Sequence, residues 1–360
     1  MIYYPRLVVN LSVIRHNAEV LYDFLKSRGI SVFAITKGAT SHPEVVKAVS
    51  SSGISHIGDS RILNIKKVKP IFPHLQYVLL RLPMISELKE IVDLVDLSLN
   101  SELEVIKKLG EIAYIRRKKH KIILMVDVGD RREGILPEDL LPSVKEIKDI
   151  KGIKIVGIGA NFACFGGVLP DKKNLTLLGE LSSDVENILG YKLEFISGGS
   201  TSSLYLVEKG IMPNKINNLR IGTGILLGYD DVRNIDLKNT KKNAFLLEAQ
   251  IIELKRKPSL PSGEIGRDAF GNIPHFDDKG IRKRAILGIG KQDVIFSALH
   301  PIDPEIEIVG GSSDHMIVDV TDSLHNYKVG DIISFRPDYP AVLYLFNSSY
   351  VEKKFKEVDR

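Results

Sequence analysis

Only one cysteine, Cys164, occurs in the 360 residues. Disulfides within the chain and cysteine-built zinc clusters are thereby excluded, and a reducing compartment is expected. A secretory leader is not evident, because Met1-Ile2-Tyr3-Tyr4-Pro5 offers no cationic stretch followed by an apolar core. No apolar run approaches the ~20 residues needed to span a bilayer. A cytoplasmic protein without membrane contact is the expectation. Charge of one sign is also lacking: 50 basic residues face 45 acidic ones, and the net +5 is spread along the chain. The densest basic run, Arg116-Arg117-Lys118-Lys119-His120-Lys121, has no aromatic interleaving and no nucleic-acid motif. It reads as a solvated helix end or loop, and no nucleic-acid partner is expected. Missing, too, is a Gly-x-Gly-x-x-Gly opening a helix after the first strand, which counts against a doubly wound dinucleotide fold.

What is present is the composition of an ordinary globular chain, 44% hydrophobic and 26% charged, long enough for a barrel plus a smaller domain. Residues 31–35 run apolar without alternation, the pattern of a strand buried on both faces, and Thr36-Lys37-Gly38-Ala39 break the run. Further strands are expected at 56–59, 77–82, 94–99, 122–128, 155–160, 193–196 and 219–221. Helices lie between most of them, most clearly at 101–113, 137–147 and 173–189. A short strand at 7–9 and a helix at 12–28, capped by Ser12 and closed by Gly29, precede this series. Eight strands alternating with helices over roughly two hundred residues predict a (β/α)8 barrel of the TIM type. Beyond about Tyr229 the texture changes. Strand-like stretches at 245–254, 284–289, 306–309, 315–320 and 331–335 are separated by turns rich in glycine, proline and aspartate, with no helix longer than two turns. The reading is an α/β chain: a barrel over 1–235, whose first strand can join the second domain, then a mostly antiparallel β domain over 236–360.

In such a barrel the functional side chains gather at the C-terminal ends of the strands. Those ends supply Lys37, then Asp127 to Gly134 with Arg132, then Asn161-Phe162-Ala163-Cys164. The last two supply Ser197-Gly198-Gly199-Ser200-Thr201 and Arg220-Ile221-Gly222-Thr223-Gly224. The two glycine-rich, hydroxyl-bearing loops lie where barrels commonly hold a phosphate on backbone N–H groups. A lysine, a phosphate cradle and arginines in one barrel mouth suggest pyridoxal 5'-phosphate, whose aldehyde a lysine can join. A free lysine is neutral to only about one part in 10³ at pH 7. Burial and neighbouring arginines would have to lower its pKa by ~3 units, at about 4 kcal/mol.

The residues that carry these features resemble a known family. Ile14-Arg15-His16-Asn17, Thr36-Lys37, Asp127-Val128-Gly129 with Arg132, and Leu219-Arg220-Ile221-Gly222 resemble the alanine racemases, fold-type III pyridoxal-phosphate enzymes. The likeness extends over essentially the whole chain. Asn161-Phe162-Ala163-Cys164, Gly263 to Gly271, and Gly311-Ser312-Ser313-Asp314-His315 place it nearest the alanine/ornithine racemase branch. The resemblance implies that Lys37 holds the cofactor and serves as base on one face of the substrate Cα. It implies that Arg220 pairs with the ring nitrogen, that Arg132 approaches the cofactor phenolate or the substrate carboxylate, and that Ser200, Thr201, Gly222 and Thr223 hold the phosphate. Asn161 replaces the histidine that stacks on the cofactor, Met125 takes the place of a carbamylated lysine, and no tyrosine follows Lys37.

The tyrosine that acts as second base from the partner's β domain is also missing. Asp268 falls at its place, with Ser313 and His315 as rivals on another loop; Asp268 can equally be a turn residue before Gly271. Ornithine would need an acidic partner for its distal amine, and Glu264, Asp268, Asp293 and Asp314 are available. The expected function is amino-acid racemisation, ornithine preferred, by a homodimer without metal. The alternatives are a racemase of alanine or another amino acid, a cofactor carrier without turnover, and a basic amino-acid decarboxylase.

Overall fold

In the computed structural model, which describes residues 3–357, eight parallel strands close on themselves. They are preceded by β1 (Arg6–Asn10) and comprise β2 (Ser31–Ile35), β3 (His56–Asp59), β4 (Gln76–Leu79), β5 (Leu97–Asn100), β6 (His120–Met125), β7 (Ile153–Gly159), β8 (Phe195–Ser197) and β9 (Asn218–Ile221). Closure is made by β2 on β9, with Phe33 opposite Arg220. Between strands run α2 (Pro43–Ser50), α3 (Ile62–Val68), α4 (Leu88–Leu94), α5 (Leu103–Ile115), α6 (Pro137–Ile147) and α7 (Lys172–Leu189), after an initial α1 (Leu11–Lys26). This is the expected (β/α)8 architecture. α1 begins at Leu11, so Ser12 lies inside the helix rather than capping it.

Alternation along each strand sorts side chains to the two faces. Phe33, Ile35, Val78, Leu97, Leu99, Ile123, Met125 and Val156 form one apolar cluster in the barrel interior. Met125 is 1% exposed, so the place of the family's modified lysine is filled by apolar packing. The buried Asn17 of α1 ties the end of this unit together. Its Nδ2 donates to the carbonyls of Ile225 and Lys241, and its Oδ1 accepts the N–H of Lys241 at 2.8 Å. α7 opens on a reciprocal cap, the Asp171 carboxylate accepting the Asn174 N–H while Asn174 Oδ1 accepts that of Asp171.

The N-terminal end of the barrel carries a pH-sensitive element. His120 is buried and shares a 2.8 Å hydrogen bond with Ser98 Oγ. Burial pushes its pKa down to about 4. The folded imidazole is neutral where the unfolded one, at ~6.5, takes up a proton. Stability is therefore full above pH 6.5 and falls between pH 6.5 and 4, by up to ~3 kcal/mol. Urea unfolding of the wild type should lose more stability between pH 7.5 and 4.5 than unfolding of His120→Gln; equal losses would count against it.

A second compact unit contains the N-terminal segment to Ser12 and the chain from Asn243 onward; the first runs Val13–Lys242. The short pair β10 (Tyr229–Asp230) and β11 (Ile235–Asp236) remains with the barrel, so the division falls beyond residue 235. The second unit is built on β12 (Phe245–Pro258), β13 (Ile281–Leu287), β14 (Leu299–Pro301), β15 (Glu307–Gly311), β16 (Met316–Asp319), β17 (Ile332–Pro337) and β18 (Glu352–Lys356). The order is β14-β17-β12-β13-β16-β15, all antiparallel, with β1 on β12 and a parallel β1–β18 pair at the side. β12 alternates buried and half-buried from Phe245 to Ile251, then breaks register before Glu253. One element departs from expectation: Tyr339–Asn347 is a helix, α10, longer than two turns, begun by Pro340 in its first turn. No helix among the described residues is long and apolar enough to cross a membrane.

Candidate active site

Lys37 leaves β2 on one turn of 3-10 helix, Lys37–Ala39. The corner that follows is unusual, because Thr40 and Ser41 both adopt the left-handed region, at φ 49° and 45°. Side chains hold it there. Thr36 Oγ1 and Ser41 Oγ lie 2.8 Å apart, and Ser41 Oγ donates to Asp59 Oδ2 at 2.6 Å. Asp59, at the end of β3, is fully buried and also accepts the Arg61 N–H and the Asn64 amide. Burial pushes its pKa up against these hydrogen bonds. This network fixes where the Lys37 stem emerges.

The Lys37 side chain is half-buried, and its amine pKa is lowered. Desolvation is the main cause; Arg132 and Arg220 add to it, while Cys164 and Asp59 oppose it. The barrel thus brings together the charges that the strand ends offered. Arg220, on β9, is 4% exposed. Its Nη1 donates to Ser197 Oγ at 2.5 Å, and its Nη2 to Ala160 O and Asn161 Oδ1, both at 2.7 Å. No hydrogen bond from its Nε is made among the described residues. Burial lowers its pKa to about 10, which leaves it protonated at neutral pH. Asn161 donates in turn to Glu133, and Glu133 forms an ion pair with Arg132.

Arg132 and Glu133 stand on a loop that closes on itself, Asp127 N–H to Ile135 O and Ile135 N–H to Met125 O. Asp127 Oδ1 accepts the N–H groups of Gly129 and Arg131. Gly134, at φ +133°, is required by contact: a Cβ there would lie 2.4 Å from the Asp127 nitrogen. The neighbouring loop is pinned by Asp130, whose Oδ2 accepts from the backbones of Cys164 and Phe165.

On the same rim, beside β2, Ser200 precedes a 3-10 turn, Thr201–Ser203, that runs into α8 (Leu204–Glu208); Gly222 precedes α9 (Thr223–Leu227). The two turns are joined by the Gly224 N–H donating to Thr201 Oγ1 at 3.2 Å. Among the described residues no acceptor takes the N–H of Thr201, Ser202 or Thr223. Such paired amides suit an anion. The Thr223 hydroxyl is committed elsewhere, to Asp231 Oδ1 at 2.8 Å, so its backbone is what remains for a phosphate. A desolvated amine, free amides at a Gly–Thr turn, and a buried arginine with its Nε unengaged fit pyridoxal phosphate in charge and in chemistry.

The residues expected from the β domain lie in the second unit. Asp268 accepts the N–H groups of Phe270 and Asn272 on Oδ1, the turn role weighed for it, and these lower its pKa. Lys291 Nζ lies 3.6 Å from its Oδ2. The loop of Ser313 and His315 reaches the same segment, since Lys291 N–H donates to Ser312 O. Ser313 Oγ donates to Asp314, and Asp293 is 4% exposed and accepts from Ser348, so Asp293 is structural rather than open to a ligand. Glu264 lies in the exposed 259–280 loop. Asp59, Ser41, Glu133, Asp231 and Lys291 were not singled out from sequence.

Residues 9–230 match the alanine racemase N-terminal domain. The chain is 44% identical to ornithine racemase of Acetoanaerobium sticklandii, across 98% of this chain and 99% of that protein. The chain belongs to the alanine racemase family. Lysine racemase of Thermotoga maritima is 41% identical over 98% of this chain and 99% of its own. Among solved structures, alanine racemase of Clostridium difficile 630 superposes with a TM-score of 0.75 at 18% identity, covering 99% of this chain and 97% of that one. That of Bartonella henselae, with covalently bound pyridoxal phosphate, gives 0.74 at 16%, covering 99% and 100%. The full-length relatives of high identity are thus racemases of basic amino acids, and the fold is that of alanine racemases.

Proposed function

We propose that the chain is a pyridoxal-phosphate-dependent amino-acid racemase, ornithine its preferred substrate, working as a cytoplasmic homodimer. The observation that carries the reading is the Lys37 amine, desolvated near two arginines in a barrel mouth where the turns after β8 and β9 leave amides without an acceptor among the described residues. When bound, the cofactor supplies the electron sink that makes the Cα proton removable. Lys37 holds it and takes or returns that proton on one face, for which the lowered amine pKa is the right condition. Thr201, Gly222 and Thr223 hold the phosphate, with Ser200 beside them, and Asn161 borders the ring by holding Arg220. Arg220 would meet the ring nitrogen; charged at neutral pH, it would leave that nitrogen unprotonated, which weakens the sink and restrains side reactions. Arg132 receives the substrate carboxylate.

Racemisation needs a second acid–base group on the other face of Cα. In this family reading it is contributed by the β unit of the second subunit. Asp268 is the proposed group, with His315 and Ser313 as rivals. The turn that lowers the Asp268 pKa makes it a weak base. The ornithine assignment is supported by the relatives, whose named substrates both carry a distal amine.

Purified protein supplied with cofactor and L-ornithine in heavy water should lose its circular-dichroism signal and place deuterium at Cα in both enantiomers. Carbon dioxide release would point to a decarboxylase instead. No optical change with ornithine, lysine or alanine would overturn the reading.

A further inference from the structure

Glu133 makes three hydrogen bonds that together orient the guanidinium beside it. Its Oε2 accepts from Arg132 Nε, and its Oε1 accepts from Arg132 Nη2 at 2.5 Å and from Asn161 Nδ2. Nε and Nη2 form the side-on edge of a guanidinium, so this edge is filled. Nη1 makes no hydrogen bond among the described residues, and Nη2 keeps a second N–H. The end-on edge is therefore the one left open, and the Arg132 side chain is 39% exposed. The carboxylate cannot swing with the arginine, because Asn161 holds it, and Asn161 is held by the buried Arg220.

We propose that Glu133 is a positioning residue that fills the side-on edge of Arg132 and thereby presents its end-on edge to the carboxylate of the amino acid. This rests on the racemase reading for the identity of the ligand but not for the geometry. Two parallel N–H···O bonds to a planar carboxylate require that edge to face the site, and a guanidinium on a long side chain does not adopt one orientation unaided. Charge alone makes the opposite forecast. An anion beside Arg132 should repel or compete with an incoming carboxylate, so its removal should tighten binding.

The sign of the effect decides between the two. Pentanoate, the ornithine skeleton without its amines, is titrated by calorimetry into cofactor-loaded wild type and Glu133→Gln. Orientation by Glu133 predicts weaker binding in the variant, by about tenfold, the loss of one charge-assisted hydrogen bond. With amino-acid substrate, KM should rise by a similar factor while kcat stays within about threefold. In an Arg132→Lys background there is no edge to present, and Glu133→Gln should leave pentanoate affinity unchanged or improved. Unchanged or tighter binding in the single variant overturns the proposal, and so does an equal loss in both backgrounds. The pentanoate pattern is read without turnover, so an absence of racemisation in the wild type would sink the functional reading and leave this one standing.

Discussion

Alanine at position 37 should abolish turnover while leaving the barrel folded. The side chain is half-buried and makes no hydrogen bond among the described residues; the Thr36–Ser41–Asp59 network lies in the corner beyond it. What disappears is a tether and a proton carrier in one atom. General acid–base catalysis is worth about 10² to 10⁴, and fixing the reactants adds several orders more. A fall in racemisation rate of at least ~10⁴-fold is expected, with far-ultraviolet circular dichroism unchanged. Residual activity within tenfold of wild type would remove Lys37 from the chemistry.

Arg220→Ala should damage stability as well as rate. Its guanidinium serves Ser197 Oγ, Ala160 O and Asn161 Oδ1, and removal leaves two buried acceptors and the half-buried Asn161 without that donor, each at about 1–3 kcal/mol. Relief of a desolvated cation works in the other direction. Its pKa, pushed down to about 10, implies ~3 kcal/mol of strain on the charged form that alanine would release. A net loss of about 3 kcal/mol is the expected outcome, read as a fall in Tm of roughly 6–12 °C. Rate should fall by ~10²-fold, because the ring nitrogen loses its partner and Asn161 its anchor. A variant as stable as wild type would mean that the three hydrogen bonds do no more than offset the burial of the charge.

Much of this arrangement was legible in the sequence because barrels place their chemistry by position. Lys37, Arg132, Asn161 and Thr201 each follow an apolar strand, Arg220 lies on the last one, and strand closure carries them to one rim. Side-chain networks were not legible. Asp59 meets Ser41 only because β2 and β3 are adjacent and the corner between them turns left-handed at two non-glycine residues. Glu133 reads as one charge among several in a loop, and only the fold sets it against Asn161, 28 residues away. The missed helix α10 has a related cause. Tyr339 to Phe346 is nearly all apolar, so no 3.6-residue period stands out, and Pro340 was a start signal rather than a break. The change in sequence texture lies near 235, but the small β10–β11 hairpin stays with the barrel, which ends at Lys242.

Racemisation by this barrel requires that the Lys37 nitrogen carry the cofactor. Protein mixed with pyridoxal phosphate should turn yellow, and borohydride followed by peptide mass spectrometry should find the reduced cofactor on Lys37. A colourless mixture, or label on a different lysine, would contradict the account.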